Sequence, residues 1–172
     1  MLSHSHRLVR HLLLIGAVVG LSACTTMGQT PPGAPLDQVI QEYGAPNFEC
    51  IKADGTPRVI WTMQPAGQYA WGSDILPDGR TEKVTAILTD DYFKRLDSGT
   101  WTADQVRCEF GPPADISGVG LPSVREIVWA YRYKQYGVWN SLMYVYMGRN
   151  GDQMTRHHPG PDPLYDEDRF LR

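Results

Sequence analysis

The strongest constraint on the fold is a ten-residue stretch that occurs twice in the chain. Segment 104–113 repeats segment 37–46 at a constant offset of 104 − 37 = 67 residues. Asp, Gln, Val, Glu, Gly and the final Pro are identical in the two copies, and Tyr43 is replaced by Phe110. Agreement at this many positions with constant spacing indicates an internal duplication.

The repeated stretch has the pattern of a short helix with a defined end. In the second copy Val106 and Phe110 stand four residues apart and therefore share one helical face. Gly111 follows where a helix favours a residue with positive φ, and Pro113 prevents the helix from resuming. Thr102 fits a capping box with the glutamine three residues later. Helix packing explains these residue types, so the repeat predicts fold rather than chemistry.

After each Gly-x-Pro the hydrophobic period changes from helical to alternating, which is typical of strands. The predicted strands cover 57–64, 69–76 and 82–88 in the first copy and 124–134, 138–147 and 153–156 in the second. A further helix is predicted after Leu88, with Thr89 or Asp90 as its N-cap. The predicted fold class is α+β, with two tandem units of a helix plus a three-stranded meander. Together they are expected to form one antiparallel sheet with the helices on one face.

The first 24 residues have the pattern of an export signal that ends in a lipid-modification site. Arg7 and Arg10 form a basic start, and an uncharged apolar stretch at 12–20 is too short to span a membrane. The sequence Leu-Ser-Ala-Cys, ending at Cys24, resembles the lipobox of bacterial lipoproteins, in which this cysteine becomes the acylated N-terminus. The residue after the cysteine is Thr25 rather than Asp, which resembles the pattern of lipoproteins that are sent to the outer membrane. The alternative is an ordinary secretory signal whose cysteine is incidental.

These patterns divide the chain into five segments. We expect a signal peptide at 1–23, the lipidated Cys24 and a flexible linker at 24–35, repeat units at 36–88 and 89–158, and a disordered acidic tail at 159–172. The Gly-rich loop 114–122 is expected to be mobile. Several acyl chains on one cysteine anchor a protein stably without a membrane-spanning segment.

Composition argues against several classes of function. Loss of the signal removes Arg7 and Arg10, which leaves 16 − 2 = 14 basic against 19 acidic residues and a net charge of 14 − 19 = −5. Nucleic-acid binding requires a basic surface instead. His157 and His158 are the only histidines after the signal; they lie in the tail and lack further zinc ligands, while the folded part has no base for a serine triad. No phosphate-binding motif occurs. We predict no catalytic residue, metal, cofactor or nucleic-acid partner.

Two cysteines remain after Cys24, namely Cys50 and Cys108. Export to an oxidising compartment would allow a bridge between them, which would join the two units. A bridge requires Cα atoms within about 7 Å, and the sequence leaves both the bridged and the free form open.

Aromatic residues on the predicted strands are the candidates for binding a partner. One face of the sheet must meet the helices, so about half of these residues are expected in the core. The other half would be exposed, and Tyr and Trp are enriched at binding hot spots. The candidates are Trp71, Tyr133, Trp139, Tyr144 and Tyr146.

The region from about 36 to 156 resembles the SmpA/OmlA (BamE-like) lipoproteins, in a duplicated arrangement similar to the β-lactamase-inhibitor-protein fold. The residues that carry the resemblance are Leu88-Thr89, Phe93, Leu96, Gly99, Thr102 to Val106 and Gly111-Pro112-Pro113. The resemblance implies a binding module, since BamE-like proteins support outer-membrane assembly and the inhibitor proteins grip an enzyme with an aromatic sheet surface. This chain departs from the BamE-like pattern in having two units and one extra residue after Gly99. No partner-contacting residue is transferred from the family.

The resulting hypothesis is an outer-membrane lipoprotein facing the periplasm. It would be no enzyme but would bind another envelope protein through its sheet. One alternative is a cell-wall-glycan binder or an enzyme that uses acidic and aromatic residues. The other is a tethered structural domain without a dedicated site.

Overall fold

The computed structural model describes residues 26–165. These residues form three α-helices, namely α1 (Leu36–Tyr43), α2 (Asp90–Phe93) and α3 (Ala103–Phe110). The first antiparallel sheet pairs β1 (Phe48–Ile51), β2 (Pro57–Thr62), β3 (Ala70–Asp74) and β4 (Thr85–Ala86) in chain order. The second pairs β5 (Asp115–Val119), β6 (Glu126–Gln135), β7 (Trp139–Tyr146) and β8 (Arg156–Pro161) in the same way. Short 3-10 helices lie at Met27–Gln29, Lys94–Asp97, Pro122–Val124 and Pro163–Tyr165. Within 26–165, no helix is long and apolar enough to cross a membrane.

The predicted α+β class with antiparallel strands is confirmed, but the prediction of a single sheet is wrong. Each sheet is a meander of four strands rather than three. Sheet edges join only where backbone groups of two strands face each other, and α2 and α3 stand between β4 and β5 in the chain. The two sheets therefore meet through side chains in a common core. That the two halves are copies of one unit remains a prediction.

The ends of α3 follow the local signals of the repeated stretch. Thr102 Oγ1 accepts a hydrogen bond from the backbone N–H of Gln105 at 3.3 Å, and Gln105 Oε1 accepts one from the N–H of Thr102 at 2.9 Å. This confirms the predicted capping box. Gly111 ends the helix with φ at 80°, a conformation that side chains other than glycine disfavour. The end of this helix was therefore encoded locally.

Two edge strands occur where the pattern predicted none. β1 pairs with β2 from Phe48 opposite Ile60, and β5 pairs with β6 from Asp115 opposite Ala130. β5 occupies most of the loop 114–122, which was expected to be mobile. Both strands are short; β1 has only partly buried and exposed residues, and β5 is exposed at four of its five positions. Their order comes from backbone pairing with a longer neighbour rather than from their own sequence.

The chain beyond residue 158 is ordered further than expected. β8 reaches Pro161, and Asp162 lies buried with an ion pair to Arg132 Nε at 2.9 Å. The prolines of β8 fit an edge strand, because its outward N–H groups have no ladder partner. The prediction of a disordered tail is thus wrong for 159–165, whereas 166–172 lie outside the described residues.

The linker predicted at 24–35 is docked on the first sheet from Thr26 onwards. The N–H of Gly33 donates to Thr81 O at 2.9 Å, and Arg80 Nη1 donates to Gly33 O at 2.6 Å. Met27 packs against the apolar cluster beneath α1. Backbone pairing outweighs the Pro- and Gly-rich composition here, so the expectation of a flexible spacer is wrong for 26–35. The signal peptide and Cys24 lie outside the described residues.

Two apolar clusters lie on opposite faces of the first sheet. On one face, α1 packs through Val39 against Val59 and Trp61. On the other face, Ile60 meets a larger cluster that also contains the buried aromatic residues of α2, α3 and the second sheet. The first sheet is therefore covered on both faces, and the expected layout with all helices on one face is wrong.

A buried network of charges joins the first sheet to α2 and α3. The Arg58 side chain is only 6% exposed, and its Nη1 lies 2.6 Å from Asp74 Oδ1. Its Nη2 donates to the Tyr92 hydroxyl at 2.8 Å, and Tyr92 in turn donates to Glu109 Oε1 at 2.6 Å. Burial raises the pKa of Tyr92, so this hydroxyl retains its proton as the donor to Glu109. A Cβ at Gly72 would lie 2.8 Å from Arg58 Nη2, so glycine leaves the space for the guanidinium.

A disulfide joins Cys50 of β1 to Cys108 of α3. The two Cα atoms are 5.7 Å apart, within the range that a bridge requires. Cys108 is buried in α3, while Cys50 lies on the outer strand of the first sheet. The bridge fastens an edge strand to the helix that precedes the second sheet.

Replacing Arg58 with Met should unfold the protein more easily, because Asp74 and Glu109 lose a buried countercharge. We expect the free energy of unfolding to fall by about 3 kcal/mol, as for other broken buried ion pairs. Urea unfolding followed by circular dichroism measures this change. Lys94→Met is the control, since Lys94 forms a solvent-exposed pair with Asp91; this variant should unfold like the wild type. Equal effects of the two substitutions would contradict a stabilising role of the network.

Replacing both Cys50 and Cys108 with Ala should lower stability because the unfolded chain gains freedom. The two residues are 58 apart in sequence. Native bridges of this kind contribute about 2–4 kcal/mol. Thermal unfolding of the variant and of the wild type with reductant should show the same loss. A wild-type melting temperature that reductant leaves unchanged would exclude the bridge as a stabilising element.

Candidate functional site

Tyr133 was predicted to bind a partner, but the structure places it in the core. Its exposed fraction is 0%, and its ring packs edge-on against Phe93 with 5.1 Å between the ring centroids. Its hydroxyl donates to Asp90 Oδ1 at 3.1 Å, and burial raises its pKa. Strand alternation places Tyr133 on the face of β6 that also carries Trp129 and Tyr131, and this face meets the helices. Tyr133 therefore has no surface to offer a partner.

Trp71 and Trp139 lie on different sheets. Trp71 belongs to β3, packs at the edge of the α1-side cluster and stacks on Tyr69 with 5.9 Å between centroids. Trp139 begins β7 at the tip of the β6–β7 hairpin and is 67% exposed. Because it pairs with Gln135, it points to the opposite side of the sheet from Tyr144 and Tyr146.

Tyr144 and Tyr146 are the two predicted residues that the structure brings together. They alternate on β7 and share its outer side, which faces away from the helices. The His158 ring of β8 lies 5.6 Å from the Tyr144 ring and 5.4 Å from the Tyr146 ring, between centroids. The Tyr146 hydroxyl and His158 Nε2 are 3.1 Å apart. These residues form a connected cluster with Arg156, which we call the Tyr144–Tyr146 face.

Arg156 completes this face with a positive charge held by a carboxylate. Its guanidinium lies 3.7 Å from the centre of the Tyr146 ring, a cation–π geometry. Arg156 Nη2 also pairs with Glu126 Oε2 at 2.6 Å. The hydrogen bond from Arg156 lowers the pKa of Glu126, so this carboxyl group is ionised at neutral pH. The side chains on the face hold one another in position.

Backbone geometry supports the Tyr144–Tyr146 face from below. A Cβ at Gly160 would lie 2.9 Å from the Tyr144 ring, so glycine lets this ring lie flat against β8. Next to the face, Ala130, Leu142 and Leu164 line a shallow recess of about 470 Å³. The buried pair of Arg132 and Asp162 closes one side of it. The outer side of the second sheet thus offers rings, charge and a recess together.

A second concave region lies between the two sheets. This cleft has a volume of about 900 Å³ and is lined by Tyr69 and Trp71 on one side and by His157 on the other. Its acids are already engaged: Asp97 lies 3.0 Å from His157 Nε2, and Asp91 lies 2.6 Å from Lys94 Nζ. Asp90, also in the cleft, accepts from Tyr133 and from the backbone N–H of Tyr136 at 2.6 Å.

Sequence reasoning missed Arg156 and His158 as members of the candidate site. Both stand on the strand predicted near 153–156 or just beyond it, and His158 had been assigned to the tail. Arg156 and His158 are two residues apart and would therefore share one side of any strand that contains both. This spacing was the sequence signal that could have identified them. Their partners depended on the pairing of Tyr144 with His158 and of Tyr146 with Arg156, which only the structure shows. Within residues 26–165, no group of three His, Cys, Asp or Glu side chains is placed to hold a metal ion.

No protein-family model, curated protein or solved structure matches this chain. The geometry of the described residues therefore carries the functional argument.

Proposed function

We propose that this chain is an outer-membrane lipoprotein of the SmpA/OmlA (BamE-like) type that binds another protein of the cell envelope. Cys24 carries the acyl chains, the folded domain faces the periplasm, and the partner binds the Tyr144–Tyr146 face. The observation that carries the proposal is the set of ring and cation–π contacts among Tyr144, Tyr146, His158 and Arg156, on the side of the second sheet that faces away from the described α-helices.

Rigid rings suit a protein partner because little conformational freedom is lost on binding. Tyr146 is in contact with both the His158 ring and the Arg156 guanidinium. A partner therefore meets a surface that is already ordered, which removes part of the entropic cost of association. Tyr and Arg are also the residue types that dominate binding hot spots. The lipid anchor raises the local concentration at the membrane, so an interface of moderate affinity is sufficient.

Two carboxyl groups on the sheets, Asp74 and Glu126, are suited to ion pairing rather than to acid catalysis. A general acid must hold a proton near neutral pH. Burial works to raise the pKa of Asp74, but hydrogen bonds from Lys52 and Arg58 outweigh it and hold this pKa below its ordinary value. The hydrogen bond from Arg156 likewise lowers the pKa of Glu126 and keeps this carboxyl group ionised. Both acids serve as ion-pair partners and lack the proton that a general acid requires.

Cys24→Ser tests the anchor. The hydroxyl cannot take the thioether-linked lipid, so the variant should leave the membrane fraction, whereas two or more acyl signals hold the wild type stably. Fractionation of cells in high salt followed by immunoblotting measures the distribution. Cys50→Ser is the control for loss of a cysteine and should remain in the membrane. Retention of the Cys24 variant in the outer membrane would contradict lipid anchoring.

Tyr144→Ala and Tyr146→Ala test the binding face. A photoreactive amino acid at Ser117, exposed on the same side of the sheet, should form an adduct with an envelope protein in intact cells, and mass spectrometry identifies it. Titration with this purified protein should show a loss of about 2 kcal/mol, or roughly 30-fold in Kd, for at least one variant.

Tyr69→Ala is the matched control, because Tyr69 is an exposed tyrosine on the cleft side of the first sheet. It should bind the identified partner as the wild type does. Unchanged Kd values for both Tyr144→Ala and Tyr146→Ala, with circular dichroism showing intact folds, would refute the proposed interface.

The cleft between the sheets favours a second candidate, binding of a cell-wall glycan. The stacked pair of Tyr69 and Trp71 at the wall of this cleft offers an aromatic platform against which a sugar ring can pack. Sedimentation with purified peptidoglycan tests it. Binding that is lost in Trp71→Ala and kept in Tyr146→Ala would favour this function over the protein interface.

A further inference from the structure

The docked N-terminal segment restricts where the lipid anchor can emerge. Thr26 caps the 3-10 helix Met27–Gln29, and Gly28 lies close to the Trp71 indole. Cys24 precedes Thr26 by two residues in the sequence, and two residues of chain span at most about 7 Å. An acylated Cys24 would therefore bring this part of the folded surface to the bilayer.

Thr26 lies at the same cleft as the tip of the β6–β7 hairpin. Both Thr26 and Gly28 line this cleft together with Tyr136 and Gly137 of the hairpin. We call Tyr136, Gly137, Val138 and Trp139 the β6–β7 tip. The surface that the anchor brings to the membrane thus includes this tip.

The β6–β7 tip carries the densest group of exposed apolar side chains near the anchor. Tyr136 is 76%, Val138 65% and Trp139 67% exposed. Tyrosine and tryptophan are amphipathic and are enriched where hydrocarbon meets water at a membrane surface. None of Tyr136, Val138 and Trp139 belongs to either apolar cluster of residues 26–165, so core packing does not account for these side chains.

The tip is held rigidly in its protruding conformation. Tyr136 has φ at 51°, a left-handed conformation that is unusual for a residue other than glycine, and Gly137 follows with φ at 72°. Asp90 fixes the turn by accepting from the N–H of Tyr136 at 2.6 Å. Asp91 is paired with Lys94, and Asp90 accepts hydrogen bonds from the Tyr133 hydroxyl and the Tyr136 N–H, so both carboxylates beside the tip are engaged within the domain.

We infer that the β6–β7 tip rests in the interfacial layer of the bilayer that holds the Cys24 acyl chains. The inference rests on the lipid anchoring proposed above and adds a second, noncovalent contact to it. Two contacts fix the orientation of the domain, whereas one acylated cysteine alone would leave it free to rotate. β7 leads from Trp139 to Tyr146 over seven residue steps, about 24 Å at roughly 3.4 Å per residue. The partner-binding face is thereby carried away from the tip.

Fluorescence quenching of Trp139 tests this contact. The full acylated protein is reconstituted into phosphatidylcholine vesicles whose acyl chains carry bromine near the headgroup end, and vesicle flotation is measured on the same samples. Wild-type emission should fall relative to vesicles without bromine. Trp139→Phe should lose most of this fall. The control Trp101→Phe, which removes a tryptophan from a separate recess beside Cys108, should keep it.

Each outcome separates the contact from the anchor. A fall in emission that depends on Trp139 supports the inference. Equal quenching in the wild type and in Trp139→Phe, or no quenching of a protein that floats with the vesicles, overturns the contact and leaves the lipid anchor intact. A wild-type protein that does not float refutes the anchoring, and the tip contact with it.

Discussion

The arrangement of both sheets depends on the burial of one guanidinium group. Arg58 sits on the central part of the first sheet, yet its charge is compensated by Asp74 on β3 and by groups on α2 and α3. A charge without these partners would be costly in the interior, so the helices must stand where their polar groups reach it. Apolar packing around Phe93 and Phe110 tolerates small shifts, whereas the network of Arg58, Tyr92 and Glu109 accepts one arrangement.

Local signals made part of the fold predictable. The capping residues of α3 and the glycine at its end act within a few residues of one another, so the sequence pattern was enough to place this helix. The central strands β2, β3, β6 and β7 were predicted close to their observed positions because their side chains alternate. The number of sheets was not predictable in this way. The number of sheets depends on which strand edges pair. Pairing between strands that are far apart in the sequence produces no periodic pattern of hydrophobic residues. The burial of Arg58 likewise depends on partners in α2 and α3 that lie far from it in the sequence.

The candidate site was also predictable only in part. Alternation correctly implied that Tyr144 and Tyr146 share one side of β7, but it could not identify which side the helices cover. Tyr133 was misassigned for this reason, since its side of the sheet meets Phe93 and the rest of the core. The position of His158 in the site depends on the register between β7 and β8. This register could not be predicted, because the Pro-rich sequence of β8 does not have the pattern of a strand.

The contact of Gln64 with Arg132 has a consequence for solubility. β5 ends its pairing at Ala130, which leaves the next stretch of β6 with open backbone groups. The Gln64 amide donates to Arg132 O at 2.8 Å and accepts from Arg132 N–H at 3.2 Å, as a neighbouring strand would. One side chain from the first sheet thus occupies an edge that could otherwise template pairing with a second molecule. The same contact that joins the two sheets also guards the chain against edge-to-edge aggregation.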